Sequence, residues 1–481
     1  MHLRLLTLAV AATLTSLSLN ATAAQGTAPA GSAGAVAPNT GSTAVAGAAV
    51  LPAPLTWNGI TLYGVVDVGA AYQTHGTPLS DYFAQGLEYG ISANSRQRVV
   101  ALAPNGLSQT RLGLKGDYEF RDGWHALFTA ESRINPLSGE IANGPKSLVQ
   151  NNGVPAAAQN SNGDSSQAGQ LLSAAAWVGI RSRDFGTLTL GRQNGLLYDN
   201  ILRYDPLGGS YAFSLIGYSA TAAGGGNSEY NRLNDSVRYI YAPGPWHVGA
   251  QYQAAGQEVG GQAYQFNLGA DAGPWSADLT YAAKVNGLAL STFSPTAAQL
   301  TALQASGYPL TSVVKATASD TRALGLFGKF DGGGWSAYAG IENIVYSTPD
   351  LGSADVSVGA STVGGYTIGN LAANPYGNAK TLQVTWAGAR YALTQELELS
   401  GGFYHYRQNS YAGGSNAGCG SAVSSACSGS ENAGSLVIDY RFDPRLDVYS
   451  GIFLTHVDGG LASGFLYTSN LSITSGVRFR F

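Results

Sequence analysis

Leu471-Ser472-Ile473-Thr474-Ser475-Gly476-Val477-Arg478-Phe479-Arg480-Phe481 ends the chain with an unbroken alternation. Leu471, Ile473, Ser475, Val477, Phe479 and Phe481 share one face of an extended segment. Ser472, Thr474, Gly476, Arg478 and Arg480 share the other. Period-two patterning is the mark of a strand, because successive side chains point to opposite faces. One face here is greasy enough for lipid, and the other carries two arginines that need water. An arginine turned to lipid near the bilayer midplane costs about 2–4 kcal/mol, so the arginine face looks inward in any membrane-crossing version of this strand.

The same alternation opens at Ile60 and runs to Tyr72. Leu62, Gly64, Val66, Val68, Ala70 and Tyr72 share one face, and Tyr63, Val65, Asp67 and Gly69 the other. Between these two ends it recurs in pairs joined by short turns: 109–120 with 123–133, 173–181 with 187–193, 237–241 with 246–253 and 264–270 with 275–284. Then come 322–330 with 335–346, 380–391 with 397–407 and 435–442 with 446–455. With the first and last strands the count is sixteen. An even number of strands, with short turns at one end and long loops at the other, is the pattern of an outer-membrane barrel. Closure is required because an open edge would leave amides unpaired in lipid. Trp246, Trp275 and Trp335 each begin a strand just after a short turn, as an aromatic girdle would. The expected fold is all-β: a 16-stranded antiparallel transmembrane β-barrel. A propeller would repeat a blade of roughly 40–50 residues, and these hairpins are uneven.

Composition agrees. Charged residues make up only 11%, against 65 glycines and 27 tyrosines. Mean hydropathy is near zero, and beyond the N-terminus no stretch reaches the roughly 18 apolar residues of a spanning helix. Alternating faces cancel in any such average. The basic Met1-His2-Leu3-Arg4, the mostly apolar Leu5–Leu19 and the small Ala21-Thr22-Ala23 read as a signal peptide over 1–24. Residues 25–55, an Ala/Gly/Pro/Ser/Thr tract, read as a flexible leader, and 56–481 as the barrel domain. A net charge of −4 gives no basic footprint for nucleic acid. Cys419 and Cys427 stand alone in a Gly/Ser-rich stretch, so an exported chain is expected to join them as a disulfide. Neither a metal nor a cofactor is called for.

Specific strings narrow the barrel further. Leu62-Tyr63-Gly64-Val65-Val66-Asp67 resembles the first strand of the Gram-negative general (trimeric) porins, in their neisserial and burkholderial branch. Arg111-Leu112-Gly113-Leu114-Lys115-Gly116 resembles their second strand, and Phe185-Gly186-Thr187-Leu188-Thr189-Leu190-Gly191-Arg192-Gln193 their fifth. Asn231-Arg232-Leu233-Asn234-Asp235-Ser236-Val237-Arg238-Tyr239 is similar to the opening of their sixth, and Gly476–Phe481 to their C-terminus. The resemblance runs from about Leu62 to Phe481.

That resemblance implies a general diffusion porin: a water-filled homotrimeric channel for small hydrophilic solutes in the outer membrane, set among lipid and lipopolysaccharide. It implies a third loop, about 194–229, folded inward to form an eyelet. Arg111, Arg192 and Arg232 match its basic positions, with Asp199 and Asp205 on the acidic loop. Tyr63, Asp67, Lys115, Glu131 and Arg133 have lumen parity and are expected to line wider parts. Phe481 is expected to be read by the barrel-assembly machinery. One departure is Ala174, where relatives often carry arginine; Arg133 and Arg181 are expected to compensate in part, and Arg203 to offset Asp199 and Asp205. A substrate-selective channel, an adhesin and an outer-membrane enzyme are the alternatives. Catalysis has little to stand on: His75, His125, His247, His405 and His456 are isolated in the sequence, with no serine signature nearby.

Overall fold

A computed structural model describes residues 55–82, 98–161, 168–216, 232–255, 261–351 and 362–481. The expected signal peptide, nearly all of the leader and the second half of the third loop lie outside them. Each period-two segment forms a strand. In chain order these are β1 (Ile60–Gln73), β2 (Val99–Pro104 continued by Arg111–Arg121), β3 (Trp124–Arg133), β4 (Ala175–Ser182) and β5 (Gly186–Asn194). There follow β6 (Arg232–Tyr241), β7 (Trp246–Gln253), β8 (Ala263–Ala272), β9 (Trp275–Ser291), β10 (Val313–Asp331) and β11 (Trp335–Ser347). The last five are β12 (Lys380–Ala392), β13 (Leu397–Gln408), β14 (Gly429–Arg441), β15 (Leu446–Gly459) and β16 (Ser469–Arg480).

Every strand pairs antiparallel with its sequence neighbour, and β16 returns to β1 through Val65↔Arg480 to Gln73↔Ser472. The sheet is therefore a closed ring of sixteen, with no barrel edge left to expose amides to lipid. Seven short turns lie at one end of the ring. At the other end are eight longer connections: L1 (74–98), L2 (134–174), L3 (195–231), L4 (254–262), L5 (292–312), L6 (348–379), L7 (409–428) and L8 (460–468). L2 carries a short helix, α1 (Gly144–Val149), and L3 a longer one, α2 (Leu196–Tyr204). Cys419 and Cys427 are disulfide-bonded within L7.

The outward register is apolar: Leu112, Leu114, Val178, Ile180, Leu188, Leu190, Leu324, Leu326, Leu436, Ile438 and Val477 are all exposed on the protein surface. For a soluble protein such a belt would aggregate; against acyl chains it is the solvated face. At the turn end, exposed Trp246, Trp275 and Trp335 sit in a ring of aromatics, with Phe330 between Trp275 (4.6 Å) and Trp335 (5.1 Å). These rings suit the interface, where a polar edge meets an apolar body. Leu326 lies about midway along the spanning part of β10, so Leu326→Arg should cost about 2–4 kcal/mol of folding stability. Urea titration of bilayer folding checks this, and an unchanged midpoint would contradict the outward assignment.

Closure at the chain end depends on a missing side chain. The Gly64 and Phe481 amides each donate to the other's carbonyl, both at 3.1 Å. A Cβ on Gly64 would stand 2.4 Å from the Phe481 ring, so glycine is what lets that ring lie over β1 beside Phe479.

β2 extends beyond the 109–120 segment that the alternation marked, with a further piece at Val99–Pro104. Its two pieces pair with the upper and lower halves of β1, and residues 105–110 leave the ladder between them. Pro104-Asn105-Gly106 is a turn signal inside the strand, and Asn105 takes a positive φ of 63°. Asp67 was expected to line the channel; instead it is fully buried as the hub of this break. Its carboxylate accepts from the amides of Leu107 (2.9 Å) and Ser108 (2.7 Å) and from the Tyr449 hydroxyl (2.6 Å).

Candidate pore constriction

Wall and loop meet on the side of the sheet opposite the apolar belt. L3 opens with helix α2, a feature outside the period-two pattern of the strands. Its apolar residues Leu197, Ile201 and Tyr204 fall on one face and are fully buried, while Asp199 in the first turn and Arg203 in the last oppose the helix dipole favourably. Gly195 supplies no capping side chain, so the first amides find partners on the wall: Leu196 donates to Gln251 (3.1 Å) and Leu197 to Gln265 (2.9 Å). Further along, Asn200 donates to Thr280 (2.7 Å) and Tyr204 to Asp278 (2.6 Å).

The loop then touches strands far from its own root. Trp386 of β12 donates its indole N–H to the Tyr204 carbonyl (3.0 Å), and Arg390 donates to the Pro206 carbonyl. Tyr204, Phe327 and Trp386 stack in sequence, with ring centroids 5.9 and 5.6 Å apart. From there L3 reaches β2 and β3, where Arg133 donates to Tyr211 Oη (3.1 Å) and Tyr211 to Gln109 (2.9 Å). It is held at the β2 break by Ala212 N and Ser210 Oγ, both donating to the Gly106 carbonyl. A side chain at position 106 would collide with the Tyr449 hydroxyl, so this anchor needs glycine.

A cavity remains beside the loop. Leu202, Pro206, Gly208 and Tyr211 border it on the L3 side, and Arg111, Arg133, Arg390, Arg478 and Arg480 on the wall, with Glu398 and Asp439 the carboxylates. Five guanidinium groups face two carboxylates in the lining, and Glu131 and Asp447 pair with three of the five from behind it, which leaves a small positive excess.

The expected site residues fall into two groups. Arg111 borders the cavity, 3.6 Å from Glu131, which also accepts from the Tyr63 hydroxyl (2.8 Å); Lys115 Nζ sits 5.5 Å from the Tyr63 ring centroid. Arg133 borders it too. Arg192 does not: its Nε and Nη2 donate to the Ser173 carbonyl at 3.0 and 2.7 Å. Arg232 is buried, donating Nε–H to the Ala174 carbonyl (3.1 Å) and lying 5.7 Å from the Tyr198 ring centroid. The site left by the missing arginine at Ala174 is thus approached by Arg232 from β6.

The acidic expectations change more. Asp199 pairs with Arg238 (2.6 Å). Asp205 is only 1% exposed, and its carboxylate accepts from Leu207 N, Gly209 N (2.7 Å) and Tyr404 Oη (2.8 Å). Burial raises its carboxyl above the ordinary range, against the hydrogen bonds that lower it. It shapes the loop and does not border the cavity. Arg203 serves the wall, pairing with Asp271 and with Asp278 at 3.3 Å, and Arg181 pairs with Asp117. The histidines isolated in the sequence find acids in the fold, His125 at Asp117 and His247 at Asp278, each 2.7 Å.

Arg390, Arg478 and Arg480 were missed as site residues. Their lumen parity is legible, since Arg478 and Arg480 alternate with Val477 and Phe479. No local signal says that β12 and β16 end up beside L3. Arg478 binds Asp447 (2.8 Å), Asp439 (3.1 Å) and Ser108 of the β2 break (2.7 Å), while Arg480 binds Asp447 at 2.7 Å.

The sequence profile of the Gram-negative porin family matches residues 21–460. The chain belongs to the Gram-negative porins. An outer membrane porin protein of Bordetella pertussis is 26% identical over 163 residues, 34% of this chain and 35% of that one; the match thus spans about a third of the relative's length. Among solved structures, the anion-selective porin from Comamonas acidovorans superposes with a TM-score of 0.55 at 16% identity, covering 88% of this chain and 99% of its own. The outer-membrane protein OmpT of Vibrio cholerae gives 0.51 at 11% identity, covering 89% and 100%. At these identities the likeness shows the fold. Family membership places this porin in the outer membrane of a Gram-negative bacterium.

Proposed function

We propose that this porin is a general diffusion channel, open to small hydrophilic solutes and ions, whose L3 lies in the lumen and narrows it beside Arg111. The observation that carries the reading is L3 itself: rooted between β5 and β6, it is bonded to β7–β9, β12, β13, β2 and β3 through side chains on the face away from lipid. An open barrel of sixteen strands is wide enough for water, so a bridging loop sets the narrowest passage. Charged groups at such a point set selectivity, and five lining arginines, set against Glu398 and Asp439 in the lining and Glu131 and Asp447 paired behind it, leave one positive charge in excess, which favours anions. The Comamonas porin described as anion-selective shares the fold, but the lining is what supports the preference here.

On this reading the protein is exported by a cleaved signal peptide over 1–24, assembled through a machinery that reads Phe481, and works as a homotrimer among lipid and lipopolysaccharide. Purified protein reconstituted in planar bilayers tests it. Stable conductance steps grouped in threes, with a reversal potential of anion sign in a salt gradient, are expected. Folded, heat-modifiable protein that inserts without conductance would refute the channel.

A further inference from the structure

At the loop end, β9 and β10 outgrow the ring. β8 pairs with β9 only as far as Lys284, and β11 with β10 only as far as Asp320. Beyond those residues the hairpin continues as Gly287–Ser291 against Lys315–Ser319, and Tyr366–Ala373 of L6 adds a strand parallel to Val313–Ala318. One face of this small sheet carries Leu288, Leu290, Val314, Ala316, Ala318, Ile368 and Leu371, all buried. Among the described residues, L2 supplies the cover from outside the platform, with Leu148 and Val149 of α1.

The seat is specific. Asn152 of L2 donates Nδ2–H to the carbonyls of Leu310 and Val313, both at 2.7 Å, and accepts from Phe293 N at 2.7 Å. Thr292 donates to the Leu148 carbonyl, and Asn143 to the Tyr366 hydroxyl. L2 is rooted at β3 and β4, whereas this platform is rooted at β9–β12. β3 and β10 are seven strands apart in a ring of sixteen, nearly opposite each other. At its near end L2 is tied to L1, through Asn143 N to the Tyr82 carbonyl and Ser161 N to the Pro78 carbonyl. Among the described residues no hydrogen bond joins L2 to L4, L7 or L8, the loops that a path around the rim would meet.

We propose that L2 is a strap across the loop-end mouth, docked on the L5–L6 platform, and that it forms a second filter, selecting by size ahead of the Arg111 constriction. The filtering role rests on the diffusion-channel reading; the docking does not. A strap fastened over apolar area and paired polar groups stays shut except through local opening. Solutes therefore pass through the part of the mouth that it leaves free. Its residues contribute no charge at the constriction, so strap and constriction act separately.

Two measurements test this. In the full-length protein, Leu148→Cys should react with a maleimide at least about tenfold more slowly than Ser306→Cys, which is exposed on L5. Adding Asn152→Asp sets a carboxylate against two carbonyls and should abolish the protection. Leu148→Cys reacting as fast as Ser306→Cys in folded protein would overturn the docking. In liposome swelling, Asn152→Asp and, independently, Leu148→Asp should raise trisaccharide permeation relative to monosaccharide severalfold, with an unchanged reversal potential. An unchanged size dependence, when Asn152→Asp has made the thiol introduced at position 148 reactive, would overturn the filter. Wild-type protein that admits no solute would instead remove the channel reading, while the thiol result still decides the strap.

Discussion

Arg478→Met is expected to cost about 3–5 kcal/mol, the usual loss when one partner of a buried ion pair is removed. Arg478 is 7% exposed and holds three groups at once: Asp447, Asp439 and the hydroxyl of Ser108. Methionine fills much of the space but leaves Asp447, fully buried, with Arg480 alone, and leaves Asp439 without its guanidinium. Urea titration of folding in bilayers reads the loss. It should shrink in acid, where protonated carboxyls no longer need a cation, and Arg478→Met combined with Asp447→Asn should recover part of it. A single substitution that leaves the midpoint unchanged at neutral pH would mean that these contacts are not formed in the membrane. The same side chain ties β16 to the β2 break that anchors L3, so the substitution should also increase open-channel noise.

Replacing Arg111 and Arg390 together with glutamine should lower the anion-to-cation permeability ratio about threefold to tenfold. That range is what two unit charges a few ångströms from the ion path produce at an effective dielectric between protein surface and water. Glutamine keeps a donor for the contacts that Arg390 makes to the Pro206 carbonyl while removing the charge. Reversal potentials in a tenfold salt gradient measure the ratio. Arg192→Ser is the comparison: its guanidinium is spent on the Ser173 carbonyl and lies outside the cavity lining, so its effect should be clearly smaller. An equal shift from Arg192→Ser would return the constriction to the position that family resemblance alone suggests.

The contrast between Arg111 and Arg192 marks how far residue patterns carry. Both have lumen parity and both sit in porin-like strings, so sequence treats them alike. Their fates differ because Ser173 O lies within reach of one and not the other. Asp67 and Asp205 make the same point for carboxylates. Each looks like a channel acid in a polar context, yet each is enclosed by backbone amides and a tyrosine hydroxyl from a strand remote in the chain, Tyr449 for one and Tyr404 for the other. Helix α2 has its signal in the sequence, since Leu197, Ile201 and Tyr204 recur at helical spacing, but nine residues are too few to hold a helix without the wall that buries that face, and only closure supplies the wall.

What the sequence determined by itself is everything that depends on neighbours one or two residues apart: sixteen strands, their inward and outward faces, their short turns and the aromatic level at Trp246, Trp275 and Trp335. Alternation suffices there, because lipid and water select each face independently of the rest of the fold. The tertiary structure alone decided which arginines border the cavity beside L3, that β2 breaks at Asn105 to receive that loop, and that L2 seats on strands from the far side of the ring. Those features join residues up to several hundred positions apart, and only closure of the barrel brings them within hydrogen-bonding distance.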